Sequence, residues 1–102
     1  MSNFLLELAK TIESKKEEDP EKSYTAFLLS KGFNECLNKL QEESEEFSVA
    51  IKNNSNIVHE SADVIYHFLV TLESRGIKFI DVIKELEKRK NKSGIEEKKN
   101  RK

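Results

Sequence analysis

The chain has 102 residues, of which 36% are charged and 36% hydrophobic, with a net charge of −1 and one cysteine, Cys36. This length supports one domain. The lone cysteine excludes an intrachain disulfide and a cysteine-based zinc site, and the near-zero charge gives no overall drive toward nucleic acid or an acidic membrane surface.

A first helix is predicted at the N-terminus, followed by an exposed loop. Ser2 or Asn3 can cap the helix, whose apolar residues recur at helical spacing until it fades near Lys16. Glu7 interrupts this apolar run, and no later stretch approaches the roughly 20 apolar residues that cross a bilayer. We therefore expect a cytoplasmic protein with no signal peptide. Residues 14–22 contain no apolar side chain and hold the only proline, which is typical of a loop.

A short helix or turn is predicted between Ser23, a plausible N-cap, and Gly32, a plausible stop. The hydroxyls of Ser23, Tyr24 and Thr25 are grouped at its start. They can satisfy the helix's own amides or bind a phosphate there, and the sequence leaves both interpretations open.

A long helix is predicted from just after Gly32, with Asn34 as its cap, to about Lys52. Its residues can be placed on a helical wheel at about 100° per residue. The apolar stripe on that wheel consists of Leu37, Leu40, Phe47 and Ile51, with Cys36 and Ala50 on one flank.

The run of glutamates in this helix divides between two sides of the wheel. Glu43 falls on the apolar flank and Glu46 lies just beyond it, whereas Glu42 and Glu45 point toward the opposite side. A carboxylate on a burying face needs a partner. We therefore expect Glu43 and Glu46 to be more than solvated surface charges.

The polar run 53–56 is short, which favours an antiparallel return into a helix from Ile57 to Ser74 that Gly76 closes. Apolar residues cover most of the circumference of this helix. The remaining polar strip consists of Glu60, Asp63, His67 and Thr71. A helix with so wide an apolar arc is buried on most sides, so we expect the strip to face an internal cleft.

A last helix begins near Phe79 and gives way to a basic C-terminal tail at residues 89–102, flexible unless it gains a partner. Residues 84–102 carry nine of the 18 basic residues against four acidic ones. An acidic body with a basic tail suits a metal site and a phosphate-rich ligand, and a solvated end is the alternative. The prediction is an all-α fold of four main helical segments, with residues 1–88 as the domain.

Two pairs of carboxylates carry the chemistry that the sequence predicts. Glu43 and Glu46 are three residues apart on one helix, and Glu60 and Asp63 are three apart on the next, so each pair shares a face. If the two helices pack antiparallel, the four carboxylates converge and repel each other. A hard divalent cation such as Mg²⁺ would relieve that repulsion.

The spacing Glu-Glu-x-x-Glu at residues 42–46, followed by Glu-x-x-Asp at residues 60–63, resembles the signature of the MazG-like all-α nucleoside triphosphate pyrophosphatases. The flanking residues sharpen this resemblance toward the phosphoribosyl-ATP pyrophosphatase family of histidine biosynthesis. In chain order they are Ser23-Tyr24-Thr25-Ala26, Gly32, Lys39, Asp63-Val64-Ile65-Tyr66-His67, Arg75-Gly76, Asp81-Val82, Leu86, Arg89, Ser93-Gly94 and Glu97-Lys98. Gln41 and Ser61 depart from the glycine and alanine usual in that family.

The resemblance implies a four-helix MazG-like bundle completed by homodimerisation, with phosphoribosyl-ATP as substrate and Mg²⁺ as cofactor. The metal ligands that it implies are Glu43, Glu46, Glu60 and Asp63. Glu42 and Glu43 are the expected catalytic residues, with Glu42 orienting or deprotonating a water. The expected substrate-binding residues are Lys39, Ser23, Tyr24, Arg89, Lys92, Ser93 and Lys98. His67 could support the metal ligands or serve as a structural histidine.

Three functions are consistent with these features. The first is hydrolysis of phosphoribosyl-ATP to phosphoribosyl-AMP and pyrophosphate, and the second is a housekeeping pyrophosphatase acting on non-standard nucleoside triphosphates. The third is a non-enzymatic helical interaction module. The Ser-Tyr-Thr-Ala stretch and the Ser-Gly of the tail favour the first over the second, and the internal position of Glu43 disfavours the third.

Overall fold

The computed structural model describes residues 3–90, which form five α-helices and no strand. The helices are α1 (Phe4–Ser14), α2 (Tyr24–Lys31), α3 (Phe33–Asn53), α4 (Ile57–Ser74) and α5 (Phe79–Lys90). The all-α prediction is confirmed, and α2 is the segment that the sequence left open between helix and turn. Among these residues no helix is both long and apolar enough to cross a membrane.

The helix ends follow the predicted capping residues in part. Ser23 caps α2, because its Oγ accepts a hydrogen bond from the backbone N–H of Ala26 at 3.1 Å. Gly76 closes α4 with a φ of +72°. Asn3 stands at the N-cap of α1 but its side chain makes no capping bond. The predicted loop at residues 14–22 begins with one turn of 3-10 helix at Lys15–Glu17.

The prediction that Asn34 caps the long helix is wrong. Helix α3 starts at Phe33, so Asn34 lies within its first turn and Gly32 takes the N-cap position. Gly32 has a φ of +91° and a ψ of 173°, a conformation that is essentially restricted to glycine. This single residue ends α2 and reverses the chain into α3.

The substitution Gly32→Ala is expected to lower the free energy of unfolding by roughly 1–3 kcal/mol, because alanine is strained in this conformation. A Cβ at this position would meet no atom within 4 Å, so the loss comes from the backbone alone. Urea unfolding of the variant measures it, with the exposed Ser48→Ala in α3 as the control. Equal stability of Gly32→Ala and wild type would show that the junction tolerates any residue.

Helices α3 and α4 form the central pair and pack against each other along their length. The connection between them is only residues 54–56, so the two helices run antiparallel. Asn54 and Asn56 hold the turn in the left-handed conformation, with φ of 52° and 61°. Asparagine tolerates this conformation better than most residues. The predicted antiparallel return is confirmed.

Helices α1 and α2 cover one side of this pair and enclose the core. Its buried side chains are Ile12, Leu28, Cys36, Leu69 and Val70. The thiol of Cys36 donates a hydrogen bond to the carbonyl oxygen of Leu28 at 3.3 Å, and burial raises the pKa of this thiol. Cys36 is therefore a core residue.

The apolar stripe predicted for α3 is buried only in part, since Leu40 and Phe47 are half-buried. Cys36 and Ala50, which the wheel placed on its flank, are buried, whereas Leu37 and Ile51 are 40% and 49% exposed. On α4, Val58 and Ile65 are 83% and 44% exposed, because the polar strip turns toward α3 instead. These four residues lie on the same side of the α3–α4 pair by their wheel positions and are called the open apolar face below.

Candidate active site

Three glutamates meet where the middle of α3 faces the first turns of α4. Carboxylate oxygens of Glu43, Glu46 and Glu60 all lie within 4.8 Å of one another. Glu43 and Glu46 project from successive turns of α3, and the antiparallel return brings Glu60 opposite them. The helical spacing of the sequence therefore becomes a compact cluster of three acids from two helices, called the acidic cluster below.

The carboxylates of this cluster are incompletely paired. One oxygen of Glu43 and one of Glu60, the Oε1 atoms, are buried without a hydrogen-bond partner. Burial raises the pKa of Glu43 most, and the neighbouring charges of Glu46, Asp63 and Glu60 raise it further. Two buried acceptors without donors beside a third carboxylate destabilise the protein when no cation is bound. The site therefore favours the binding of a cation.

The donor set fits Mg²⁺. It consists of carboxylate oxygens, which hard divalent cations prefer, and it offers no thiolate. Glu46 is exposed while Glu43 and Glu60 are partly buried, so the cluster opens to solvent on one side. Such an opening leaves room for the water molecules and phosphate oxygens that Mg²⁺ usually keeps in its coordination shell.

The fourth predicted ligand, Asp63, belongs to a neighbouring group. It lies with His59 and Glu60 in a second set of ligand atoms within 4.8 Å of one another. Its Oδ2 is 3.2 Å from Nε2 of His59. The four carboxylates therefore fall in two overlapping groups that share Glu60, and the charge of Asp63 also raises the pKa of Glu43. The spacing of His59 and Asp63, four residues apart on a helix, is the signal that could have identified this contact.

His67 lies one turn after Asp63 and is only 7% exposed. Its Nδ1 is 2.9 Å from the carbonyl oxygen of Asp63, and since a carbonyl only accepts, Nδ1 carries the proton. Its Nε2 is buried without a partner, and the protonated form of the ring lowers the pKa of Glu43. His67 therefore makes a structural bond within α4 while its free nitrogen borders the acidic cluster, so both roles left open by the sequence have a basis here.

Lys39 and Glu42 form an ion pair on the surface of α3. Nζ of Lys39 is 3.5 Å from Oε1 of Glu42, and this carboxylate raises the pKa of the lysine. Glu42 is exposed and lies outside both groups of ligand atoms. Lys39 stands one turn before Glu43, on the side of the acidic cluster nearer to α2.

The start of α2 borders the acidic cluster through aromatic side chains. The Tyr24 ring, 53% exposed, is stacked on Tyr66 with centroids 6.4 Å apart and meets His67 edge-on at 6.2 Å. Thr25 shares a hydrogen bond with the hydroxyl of Tyr66. This contact between α2 and α4, which the sequence analysis did not identify, fixes Tyr24 beside the cluster. Ser23 acts as the N-cap described above.

The predicted substrate contacts of the tail lie mostly outside the described residues. Ser93, Lys92 and Lys98 fall in residues 91–102, beyond the part of the chain that the structure describes. Arg89 lies within α5, which continues to Lys90, and its Nε is 3.0 Å from Oε2 of Glu85. It is exposed and available to a ligand from that surface.

A cavity of about 560 Å³ opens beside the acidic cluster, between the last turns of α3 and the start of α4. Glu46 and Glu60 belong to both the cluster and the cavity wall. The rest of the wall consists of Glu42, Glu45, Val49, Ala50, Asn53, Ser55 and Asn56. The sequence analysis assigned no role to the polar residues of the α3–α4 turn, because a short polar connection gives no sign that it lines a cavity.

In the metal-free protein, Glu43→Gln is expected to raise the free energy of unfolding. A folded-state pKa above the ordinary carboxyl value means that stability is present at low pH and is lost as pH rises through the raised pKa. The neutral amide removes this loss, so the gain should be larger at pH 8 than at pH 5. Thermal unfolding in the presence of a chelator at pH 5 and pH 8 measures this gain in stability. A variant that is less stable than wild type at pH 8 would contradict the assigned burial of Glu43.

Comparison with known proteins adds an independent finding. The family model described as phosphoribosyl-ATP pyrophosphohydrolase matches residues 5–90. A phosphoribosyl-ATP pyrophosphatase of Hydrogenovibrio crunogenus is 44% identical over 99% of this chain and 96% of its own length. Proteins of the same name from Dechloromonas aromatica and Rhodobacter capsulatus are 46% and 45% identical, covering 97% and 92% of this chain and 94% and 93% of their own.

Proposed function

The chain belongs to the phosphoribosyl-ATP pyrophosphohydrolase family, and on that premise we propose that it hydrolyses phosphoribosyl-ATP to phosphoribosyl-AMP and pyrophosphate in the second step of histidine biosynthesis. The observation that carries this proposal is the meeting of Glu43, Glu46 and Glu60, with two buried carboxylate oxygens that lack partners. A cytoplasmic location fits such a biosynthetic reaction.

Mg²⁺ is the cofactor that we propose, held by Glu43, Glu46 and Glu60, with Asp63 joining from the neighbouring group. When bound, the ion would neutralise phosphate charge and make a water more acidic. The carboxylates hold their positions before substrate arrives, since they project from two helices that pack along their length. Asp63 would exchange its contact with His59 for the ion, a change confined to side chains.

The surrounding residues supply charge and proton transfer in this proposal. Lys39 reaches toward the phosphates from one turn before Glu43, and its ion pair keeps it charged. Glu42 can take a proton from a water that approaches from the open side, since it is exposed and not buried in the cluster. Cleavage of a phosphoanhydride needs mainly such charge stabilisation and positioning, with no covalent intermediate on the protein.

A substrate assay tests the proposed function. Pyrophosphate release should require Mg²⁺ and should have a far higher kcat/KM for phosphoribosyl-ATP than for ATP, dUTP, dCTP or oxidised guanine triphosphates. Comparable values for a non-standard triphosphate would indicate the housekeeping activity instead. If none of these nucleotides were hydrolysed with Mg²⁺ present, both the proposed activity and the housekeeping activity would be contradicted.

We also propose that two chains form a homodimer through the open apolar face. Leu37, Ile51, Val58 and Ile65 expose large apolar side chains on one side of the central pair. Burying apolar surface of this kind contributes about 25 cal/mol per Å². A symmetric pairing would bury the same four residues of each chain and complete a bundle around both α4 helices.

The basic tail is proposed to bind the phosphates of the substrate, because residues 91–102 contain five basic residues against two acidic ones. Removing these residues while keeping all of α5 is expected to raise KM for phosphoribosyl-ATP about tenfold or more, by lost charge pairing. The rise should be smaller for ATP, which lacks the second phosphate group. Steady-state kinetics measures both, and an unchanged KM for phosphoribosyl-ATP would place recognition elsewhere.

A further inference from the structure

The cavity between the end of α3 and the start of α4 has a chemistry that differs from the rest of the site. Val49 and Ala50 form an apolar wall, and Asn53, Ser55 and Asn56 supply two amides and a hydroxyl. Sites for small organic ligands combine an apolar lining with a few polar groups in this way. Within residues 3–90 no cationic side chain lines the cavity, and the four carboxylates of Glu42, Glu45, Glu46 and Glu60 also belong to its wall, so a polyphosphate would be repelled there.

The amides suit the edge of a purine base. An asparagine side chain presents a donor and an acceptor side by side, which matches the N6 and N7 positions of adenine. Val49 is 56% exposed, so its side chain offers surface that a flat ring could cover. The cavity of about 560 Å³ is also within the range of roughly 300–1,000 Å³ typical of ligand sites.

The order of residues along α3 gives the direction in which a nucleotide would lie. Lys39, Glu46 and Asn53 are spaced seven residues apart, so they share one face and are separated by about 10.5 Å at each step. The ammonium group of Lys39 stands at one end, the acidic cluster with Glu46 lies in the middle, and the amide of Asn53 stands at the other end. A nucleotide has the same sequence of groups, with phosphates at one end and the base at the other.

We propose that this cavity is the nucleoside subsite, so that the adenine and its ribose lie against Val49, Asn53 and Asn56 while the phosphate chain extends past the acidic cluster toward Lys39. The proposal rests on the proposed function, whose phosphoanhydride must reach the carboxylates. It assigns a specificity role to the α3–α4 turn. It also predicts that the leaving pyrophosphate lies at the Lys39 end, away from the turn.

The turn offers a matched pair of variants. Asn54 and Asn56 both adopt the left-handed conformation, which glycine also adopts freely, but only Asn56 lines the cavity. Asn56→Gly therefore removes an amide from the subsite without backbone strain, and Asn54→Gly removes an amide from the same turn outside it. Val49→Trp is a second test, because the larger ring would fill the cavity from an exposed helical position.

The experiment is calorimetric titration of the full chain with adenosine monophosphate and, separately, with pyrophosphate, both with Mg²⁺ present. Asn56→Gly should raise the Kd for adenosine monophosphate about tenfold, as expected for loss of a paired amide. Val49→Trp should raise it at least as much. Both should leave the Kd for pyrophosphate within twofold of wild type, and Asn54→Gly should leave both ligands unaffected.

The outcomes separate this subsite from the proposed function. If wild type hydrolyses phosphoribosyl-ATP but Asn56→Gly and Val49→Trp bind adenosine monophosphate as wild type does, the subsite is overturned and the function stands. If wild type fails to hydrolyse phosphoribosyl-ATP while both variants lose adenosine monophosphate, the function falls and the nucleoside subsite stands. Weakened pyrophosphate binding in Asn56→Gly would overturn the proposed direction of the substrate.

Discussion

Glu43→Gln is expected to lower kcat for phosphoribosyl-ATP by about 10²–10³-fold, a loss typical of removing one charge-stabilising group from an active site. The amide keeps the shape of the side chain but removes the charge that the cation needs. Glu43 is partly buried in the acidic cluster and its Oε1 lacks a partner, so this oxygen is free to bind a cation. Steady-state kinetics at saturating Mg²⁺ measures the loss.

A matched control separates loss of this carboxylate from a general change in charge. Glu35→Gln makes the same substitution on the same helix, at a residue outside both groups of ligand atoms and outside the cavity. Its kcat should stay within about twofold of wild type, since Glu35 supplies no ligand atom and is the smallest of the charges that raise the pKa of Lys39. If Glu35→Gln and Glu43→Gln lost activity equally, the assignment of Glu43 to the catalytic centre would be wrong.

Ile65→Glu is expected to separate the proposed homodimer into single chains. Ile65 is 44% exposed and belongs to the open apolar face, and twofold symmetry would place two such residues in the interface. Full burial of an isoleucine contributes roughly 1.5–3 kcal/mol, so burying the 44% of Ile65 that is exposed contributes about half of that per chain, and the two new charges would also be desolvated. The dimer dissociation constant should therefore rise at least about 100-fold.

Light scattering at micromolar concentration measures this change as a mass of one chain instead of two. Thr11→Glu places the same charge on an exposed polar position of α1 and should leave the mass unchanged. A wild-type protein that is a stable, folded monomer at this concentration would refute the dimer itself. A dimeric Ile65→Glu protein would show that the chains associate through another surface.

Much of the central pair could be predicted from helical spacing alone. The acids that recur at i and i+3 were placed on facing helices because the short polar turn leaves no other return, and Glu43, Glu46 and Glu60 do meet. The same reasoning assigned the strip of Glu60 and His67 to an internal position, and His67 is buried. Helical periodicity is sufficient to predict which residues face the interior where the helix has distinct apolar and polar sides.

The structure differs from the sequence-based predictions where the packing of neighbouring elements decides which side chains are buried or in contact. The wheel of α3 does not show that Cys36 and Ala50 would be more deeply buried than Leu37 and Ile51, because both sets are apolar. Asp63 lies close enough to Glu43 for its charge to raise the pKa of Glu43, and it also contacts His59 one turn earlier on its own helix, a pairing that the sequence analysis does not identify. The cavity depends on how two helix ends are placed in space, which the composition of a turn does not specify.

The most direct test of the account is to locate a divalent cation in crystals of the protein. Mn²⁺ prefers the same oxygen ligands as Mg²⁺ and can be found by anomalous diffraction. The account predicts a strong peak at bonding distance from the carboxylates of Glu43, Glu46 and Glu60, and its loss in Glu43→Gln crystals. A peak at other residues only, or an occupied cluster in Glu43→Gln crystals, would contradict it.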